Sequence, residues 1–235
     1  MISLRHSIQS RYISSFIRSA QTSSTNLKTH KSKSSSQWLR RQSQDPFVKK
    51  SQQDGYRSRA AYKLLEIDQK YKIIKPNSFI VDCGCAPGSW CQVMLKKKQV
   101  QDDISIIGID LLPIKPLQGM HFIQGDFTSS SVQQNLSSLL NNRKVNLITS
   151  DIAPSFSGNH KTDHIRQIGL SESVFDFSLN YLDTNGILLM KVFQGTELQS
   201  FINTLKNHFQ SVIQIKPKAS RDESSELYIL CKILK

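Results

Sequence analysis

The chain reads as an α/β protein built on a seven-stranded, mostly parallel sheet with helices on both faces and an antiparallel final strand. Three observations predict it. From about residue 58 onward, short apolar stretches alternate with longer segments whose apolar residues recur at helical spacing. The chain has 235 residues, which suits one domain of about 100–200 residues plus an extension. The last two β-like stretches, 209–215 and 226–233, are joined by residues 216–225 alone. A parallel crossover needs about a dozen residues or more, so the last strand should run antiparallel beside its predecessor.

The elements follow in order. Ser58–Lys72 predicts a helix with Ala61, Leu64, Leu65 and Ile67 on its apolar side. Phe79–Asp82 is a short apolar strand ending in an acid, and Gly88–Lys98 a helix. Ile104–Asp110 is the second strand, His121–Gln124 the third, and Val132–Asn141 the helix after it. Val145–Ser150 is the fourth strand and Leu170–Leu182 a long helix. Gly186–Phe193 is the fifth strand, followed by a helix near Glu197–Asn207 and the final strand pair. Ser155–Arg166, with Gly158 and little apolar content, reads as a mobile loop. No internal repeat or second domain is visible.

The net charge of +13 is unevenly spread. Residues 1–44 hold eight Lys/Arg and no Asp or Glu, which leaves 23 against 18 for residues 45–235. That leader is also rich in serine and carries scattered apolar residues such as Ile2, Leu4, Ile8, Tyr12, Ile13, Phe16 and Ile17. This is the composition of a mitochondrial transit peptide, which predicts a mitochondrial (matrix) protein; a disordered basic RNA-binding tail is the other reading. The expected organisation is therefore a leader over 1–44 and a single domain over 45–235. No run approaches the ~18 apolar residues that span a bilayer.

Four cysteines invite a metal reading, but Cys83, Cys85 and Cys91 have no second ligand pair nearby, and Cys231 lies far along the chain. They read as thiols packed around a tight turn, with no metal expected.

That turn is Asp82-Cys-Gly-Cys-Ala-Pro-Gly-Ser-Trp90, between the first strand and its helix. In open α/β sheets, ligands bind beyond the carboxyl ends of the strands. Gly84 and Gly88 let the backbone turn tightly and approach a ligand. The dinucleotide fingerprint and the P-loop lysine are both missing, which argues against dinucleotides and ATP. Asp110 ends the second strand, where a carboxylate can accept from a ribose diol. Asp126 follows the third strand and can reach an adenine amino group, with Phe127 beside the ring. Acids ending strands one, two and four, with Asp126, should converge on one sheet edge.

With these motifs in place, the chain resembles the FtsJ/RrmJ RNA 2′-O-methyltransferases, and its sheet resembles the Rossmann-like class I S-adenosylmethionine-dependent methyltransferase fold. The resemblance rests on the turn over 82–90, Asp-Leu-Leu-Pro (110–113), Gln-Gly-Asp-Phe (124–127), Ser-Asp-Ile-Ala-Pro (150–154), Lys-Val-Phe-Gln-Gly (191–195) and Ser-Arg-x-x-Ser-x-Glu-x-Tyr (220–228). It covers about residues 55–235 and implies a catalytic set of Lys63, Asp151, Lys191 and Glu226. It also implies S-adenosylmethionine contacts at Pro87, Gly88, Ser89, Trp90, Asp110, Asp126, Phe127 and Asp151. Residues 216–224, with the basic leader, look most like the mitochondrial large-subunit rRNA branch, whose members methylate a uridine. The implied partner is rRNA within an assembling mitochondrial large subunit, met by a monomer away from any membrane. Cys83, Cys85 and Ser89 depart from the bacterial pattern, and Ser89 occurs in tRNA-modifying relatives, so a cytosolic tRNA enzyme is the alternative. A largely non-catalytic ribosome-assembly factor is another.

Elementary chemistry is compatible with the four residues. Methyl transfer to a ribose hydroxyl needs an in-line approach and removal of a proton. Lys191 stands among Leu188, Leu189, Met190, Val192 and Phe193 in a strand that a parallel sheet covers on both faces. Burial disfavours the charged amine, a second cation such as Lys63 disfavours it further, and Asp151 opposes both while orienting it. An amine so placed can act as a general base. Asp151 follows strand four, Lys191 lies near the end of strand five, and an antiparallel last strand starts at the same edge with Glu226. Arg57, Arg59, Lys96–Lys98, Lys161, Arg166, Lys216, Lys218 and Arg221 are the candidate RNA-binding cations.

Overall fold

A computed structural model describes residues 43–98 and 104–235, of which Gln44–Lys235 form one compact unit. The leader, apart from its last two residues, and the reading placed on it lie outside the described residues. Six helices are considered below: α1 (Pro46–Gln53), α2 (Ala61–Tyr71), α3 (Ser89–Lys98), α4 (Ser130–Leu140), α5 (His160–Tyr181) and α6 (Leu198–His208). The strands are β1 (Ile80–Cys83), β2 (Ile106–Asp110), β3 (Met120–Gln124), β4 (Val145–Ser150), β5 (Leu182–Phe193), β6 (Phe209–Ile215) and β7 (Glu226–Leu234).

The sheet order is β3-β2-β1-β4-β5-β7-β6. The first five strands are parallel, while β7 runs antiparallel to both β5 and β6. The expected architecture holds, and the final strand inserts between its predecessor and β5. This order reverses direction beside β1, so the carboxyl ends of β1 and β4 flank the crevice where such sheets bind ligands.

Strand alternation divides the core. Val81, Cys83, Ile107, Ile109, Leu188, Met190 and Val192 face one way, onto Leu136, Phe175, Phe201 and Leu205 of α4, α5 and α6. Ile80, Ile106, Leu147, Leu189, Tyr228 and Leu230 face the other way, onto Leu64, Ile67, Val93 and Met94 of α2 and α3. All four cysteines are buried and free. Among the described residues no three His, Cys, Asp or Glu side chains gather as a metal set, and no helix is long and apolar enough to cross a membrane.

Three elements differ from the sequence reading: β5 starts four residues early, at Leu182, and two helices depart further. The helix α1 was not anticipated, although Asp45 caps it by accepting from Phe47 N at 3.0 Å and Pro46 opens it. The helix α5 begins ten residues earlier than expected. Asn159 caps it through Lys161 N and Thr162 N, so 160–166 is helix and not loop. The extra turns were hidden because their buried face is polar: Asp163, His164, Gln167 and Ser171 all point inward beside Ile168. A period read from apolar residues cannot register such a face.

Candidate active site

The carboxyl ends of β4 and β5 and the amino end of β7 meet at one edge. Phe193 pairs with Glu226 and Lys191 with Tyr228 across the β5–β7 ladder. Lys191 is 7% exposed, and its Nζ lies 3.1 Å from Asp151 Oδ1 while donating to the Asp151 carbonyl at 2.6 Å. Tyr228, fully buried, donates its hydroxyl to Asp151 Oδ1 at 2.8 Å. Lys63 reaches in from α2 and pairs with Glu226 Oε1 at 2.6 Å, its Nζ standing 5.8 Å from the Tyr228 ring centre. The four expected residues thus come together as two lysine–carboxylate pairs around one tyrosine.

The charges follow from these contacts. Burial alone would raise the Asp151 carboxyl, but Lys191, then Lys63, and hydrogen bonds from Tyr228 and Lys191 hold it below its ordinary value. Burial, then the charges of Asp151 and Glu226, push the Tyr228 phenol well above its ordinary range, so it remains a donor. Asp151 is a carboxylate at neutral pH, fixed from three directions.

A cavity of about 520 Å³ opens beside this edge, within the range of small-molecule sites. Its walls include Gly84, Ala86, Asp110, Leu111, Asp126, Phe127, Asp151 and Ile152. The turn after β1 shapes its floor: Gly84 has φ +75°, and a Cβ there would meet the Ile152 backbone at 2.7 Å. Asp110 Oδ2 accepts from Ala86 N at 2.8 Å and Oδ1 from Leu112 N at 2.9 Å, which leaves each oxygen further acceptor capacity. Asp126 Oδ1 accepts from Thr128 N at 2.9 Å, and Phe127 packs edge-on against Phe177. Two carboxylates set among apolar walls suit a ligand that joins a ribose diol and an amino-bearing base to an uncharged ring surface.

The placements also correct the sequence reading. Asp82 does not stand at the cavity. It is fully buried between β4 and α3, where Thr149 Oγ1 donates at 2.7 Å and Cys91 Sγ at 3.1 Å. Burial dominates those bonds and raises its carboxyl to about 7. Pro87, Gly88, Ser89 and Trp90 are not among the residues lining the cavity; Ser89 bonds Ser58 at 2.8 Å, and Trp90 Nε1 donates to Ala60 O at 2.8 Å while its ring lies against Tyr228. Several candidate RNA-binding cations are engaged within the fold: Arg57 bonds the carbonyls of Pro87, Lys115 and Pro116, Arg59 and Arg221 both meet Asp45, Lys97 pairs with Asp68, and Lys98 is buried against the Ser78 carbonyl. Lys96 lies over the Tyr56 ring, and Lys216 donates to the carbonyls of Ser224 and Glu226. Lys161, Arg166 and Lys218 are exposed.

Tyr228 went without a role in the sequence reading. Its spacing of two from Glu226 was the available signal, since residues i and i+2 of a strand share a face. Ala86 and Leu111 were also unassigned; strand-end position alone does not say which residues of a turn face outward.

The sequence profile of FtsJ-like methyltransferases matches residues 56–234. A protein of Thiobacillus denitrificans named ribosomal RNA large subunit methyltransferase E is 45% identical over 203 residues, covering 86% of this chain and 91% of that protein. Its namesake from Neisseria meningitidis is 44% identical over 202 residues, covering 86% and 97%. Among solved structures, a Plasmodium falciparum protein described as a ribosomal RNA methyltransferase superposes with TM-score 0.68 at 37% identity, over 76% of this chain and 98% of that one. Methanococcus jannaschii fibrillarin, at TM-score 0.51 and 13% identity, shares the fold. With its edge of paired lysines and carboxylates beside a ligand-sized cavity, the chain belongs to the FtsJ-like methyltransferase family and uses S-adenosylmethionine as its methyl donor.

Proposed function

We propose that this protein methylates a ribose 2′-hydroxyl, that of a uridine, in the large-subunit rRNA of mitochondria, with Lys191 as the general base. The observation that carries this reading is the Lys191–Asp151 pair at 3.1 Å, at the edge the cavity shares through Asp151. Bound in the cavity, S-adenosylmethionine supplies an activated methyl group on a sulfonium. Asp110 and Asp126 would hold its ribose and adenine, and Asp151 joins the same cavity to the Lys191 edge. Once its ammonium has given up a proton to solvent, Lys191 can accept the proton of the ribose hydroxyl, whose oxygen would take the methyl group while the sulfur leaves as the neutral thioether of S-adenosylhomocysteine. Asp151 and Tyr228 fix the amine, and Lys63 and Glu226 hold the second pair against the incoming sugar. Positioning supplies a large share of the rate, because the donor is already activated.

The rRNA substrate is supported by the names that the relatives carry. The mitochondrial address rests on the acid-free, Arg- and Ser-rich composition of residues 1–44, and uridine on the likeness of residues 216–224. A monomer acting on an assembling subunit completes the proposal.

Lys191→Ala is expected to lower methylation of the rRNA by about 10²–10⁴-fold while leaving S-adenosylmethionine binding within about twofold. Tritium transfer to rRNA and calorimetric titration of the donor measure the two. Undiminished transfer would remove Lys191 from the chemistry. Mapping 2′-O-methylated positions in mitochondrial RNA with and without the protein identifies the nucleotide, and a fluorescent fusion that keeps residues 1–44 reports the compartment.

A further inference from the structure

The loop between β4 and α5 carries an aromatic ring that neither the core nor the cavity uses. Phe156 is 69% exposed, the highest value among the large apolar side chains of the described residues, and its inner face stacks on Phe193 with ring centres 5.8 Å apart and planes 25° apart. Phe193 is itself 6% exposed, so the pair forms a step with one covered ring and one open ring.

The position of the step matters more than its exposure, since a lone exposed apolar residue is ordinary. Phe193 lies two residues beyond Lys191 on β5, so the two side chains leave the strand on the same face, about 7 Å apart along it. It pairs across the ladder with Glu226. The aromatic step therefore stands next to the amine, on the outward side from which an acceptor arrives.

The loop holds the ring firmly. Ser157 donates to Asp163 Oδ1 from both N and Oγ at 2.8 Å, Asp163 is buried, and Asn159 caps α5 two residues later. Arg166 NH1 donates to Ser155 O at 3.4 Å, so a cation adjoins the same loop, and Lys161 is exposed one turn earlier. A rigid exposed aromatic plane flanked by cations is the arrangement that receives unstacked bases of single-stranded RNA.

We infer that Phe156 is a stacking platform for the base of a nucleotide adjacent to the methylated one, holding the rRNA strand so that the target ribose stays at Lys191. The inference rests on the proposed rRNA reading and adds a specificity-determining residue to it. Phe156 touches neither the donor cavity nor Lys191 among the contacts seen, so its contribution should fall on RNA binding.

The test uses the full chain with a transcript of its own large-subunit rRNA in which the methylated position has been mapped. Phe156→Ala should raise KM for RNA about tenfold or more, the loss of one base–aromatic stack. The value of kcat at saturating RNA and the donor affinity should stay within about twofold, and Phe156→Tyr should restore KM. Transcripts made abasic at one or the other nucleotide flanking the target provide the decisive arm. On one of them, wild type and Phe156→Ala should have equal KM. An unchanged KM in Phe156→Ala overturns the inference and leaves the rRNA reading standing. So does a KM difference that persists undiminished on both abasic transcripts, or sedimentation showing that Phe156→Ala dissolves a dimer. No methylation of rRNA by the wild-type protein would overturn both.

Discussion

Two aspartates at the carboxyl ends of neighbouring strands, Asp82 fully buried within β1 and Asp151 half-buried just past β4, have their carboxyls shifted in opposite directions. Asp82 on β1 pairs in register with Thr149 of β4, and Asp151 lies two residues beyond Thr149. Asp82 meets only neutral donors, the Thr149 hydroxyl and the Cys91 thiol, and burial raises its carboxyl to about 7. Asp151 meets Lys191 and Tyr228, feels the charge of Lys63, and is held below the ordinary value. Two residues further along the sheet, the chain passes from core to edge. The same side chain shifts in opposite directions because its partners change from neutral to cationic.

Removing the charge at the edge should have the larger effect. Asp151→Asn keeps the shape but leaves Lys191 buried without its counter-ion, and kcat should fall by about 10²–10⁴-fold. Single-turnover methyl transfer measures it; activity near wild type would mean that the two aspartates differ only in surroundings. Next is Tyr228→Phe, which deletes one hydrogen bond to a charged acceptor. A loss of about 1.5 kcal/mol predicts about a tenfold drop in kcat, with donor affinity preserved. A fall in donor affinity alone would assign Tyr228 to the cavity instead.

Asp82→Asn should spare activity and change the pH dependence of stability. The folded-state value of Asp82, about 7, lies above its unfolded value, so the folded state binds the extra proton between the two. The stability it supplies is complete below the unfolded value near 3.8 and is lost as pH rises through about 7. Denaturant titrations between pH 5 and 8 should slope downward in wild type and less so in Asp82→Asn. Parallel slopes would show that Asp82 is ionised throughout. Thr149→Val, the smallest of the four, should cost about 1 kcal/mol by removing one donor to that carboxyl.

Much of this was legible in the chain. Strand order was accessible for β7 because residues 216–225 are too few for a crossover, and that one deduction put Glu226 at the same edge as Lys191. The distinction between Asp82 and Asp151 was not. Both end an apolar strand in the sequence, and only the partner list separates a carboxyl wedged under α3 from one facing two amines. Lys63 could be placed only by family likeness, because the docking of α2 depends on packing by Leu64 and Ile67 that no local pattern encodes. The packing of Ser89 against Ser58 and of Trp90 against Tyr228 was hidden for a related reason.

The strand order β5-β7-β6 has a consequence for how the protein is made. The last strand in the chain lies between two earlier ones, so β6 cannot join the sheet until β7 has been synthesised and wedged in. Until then β5 presents Leu188, Met190 and Val192 along an unpaired margin, a template for association with other chains. The same late insertion delivers Glu226 and Tyr228. A nascent chain therefore holds Lys191 apart from Glu226 and Tyr228, and the edge on which the proposed chemistry depends is complete only once the last strand is in place.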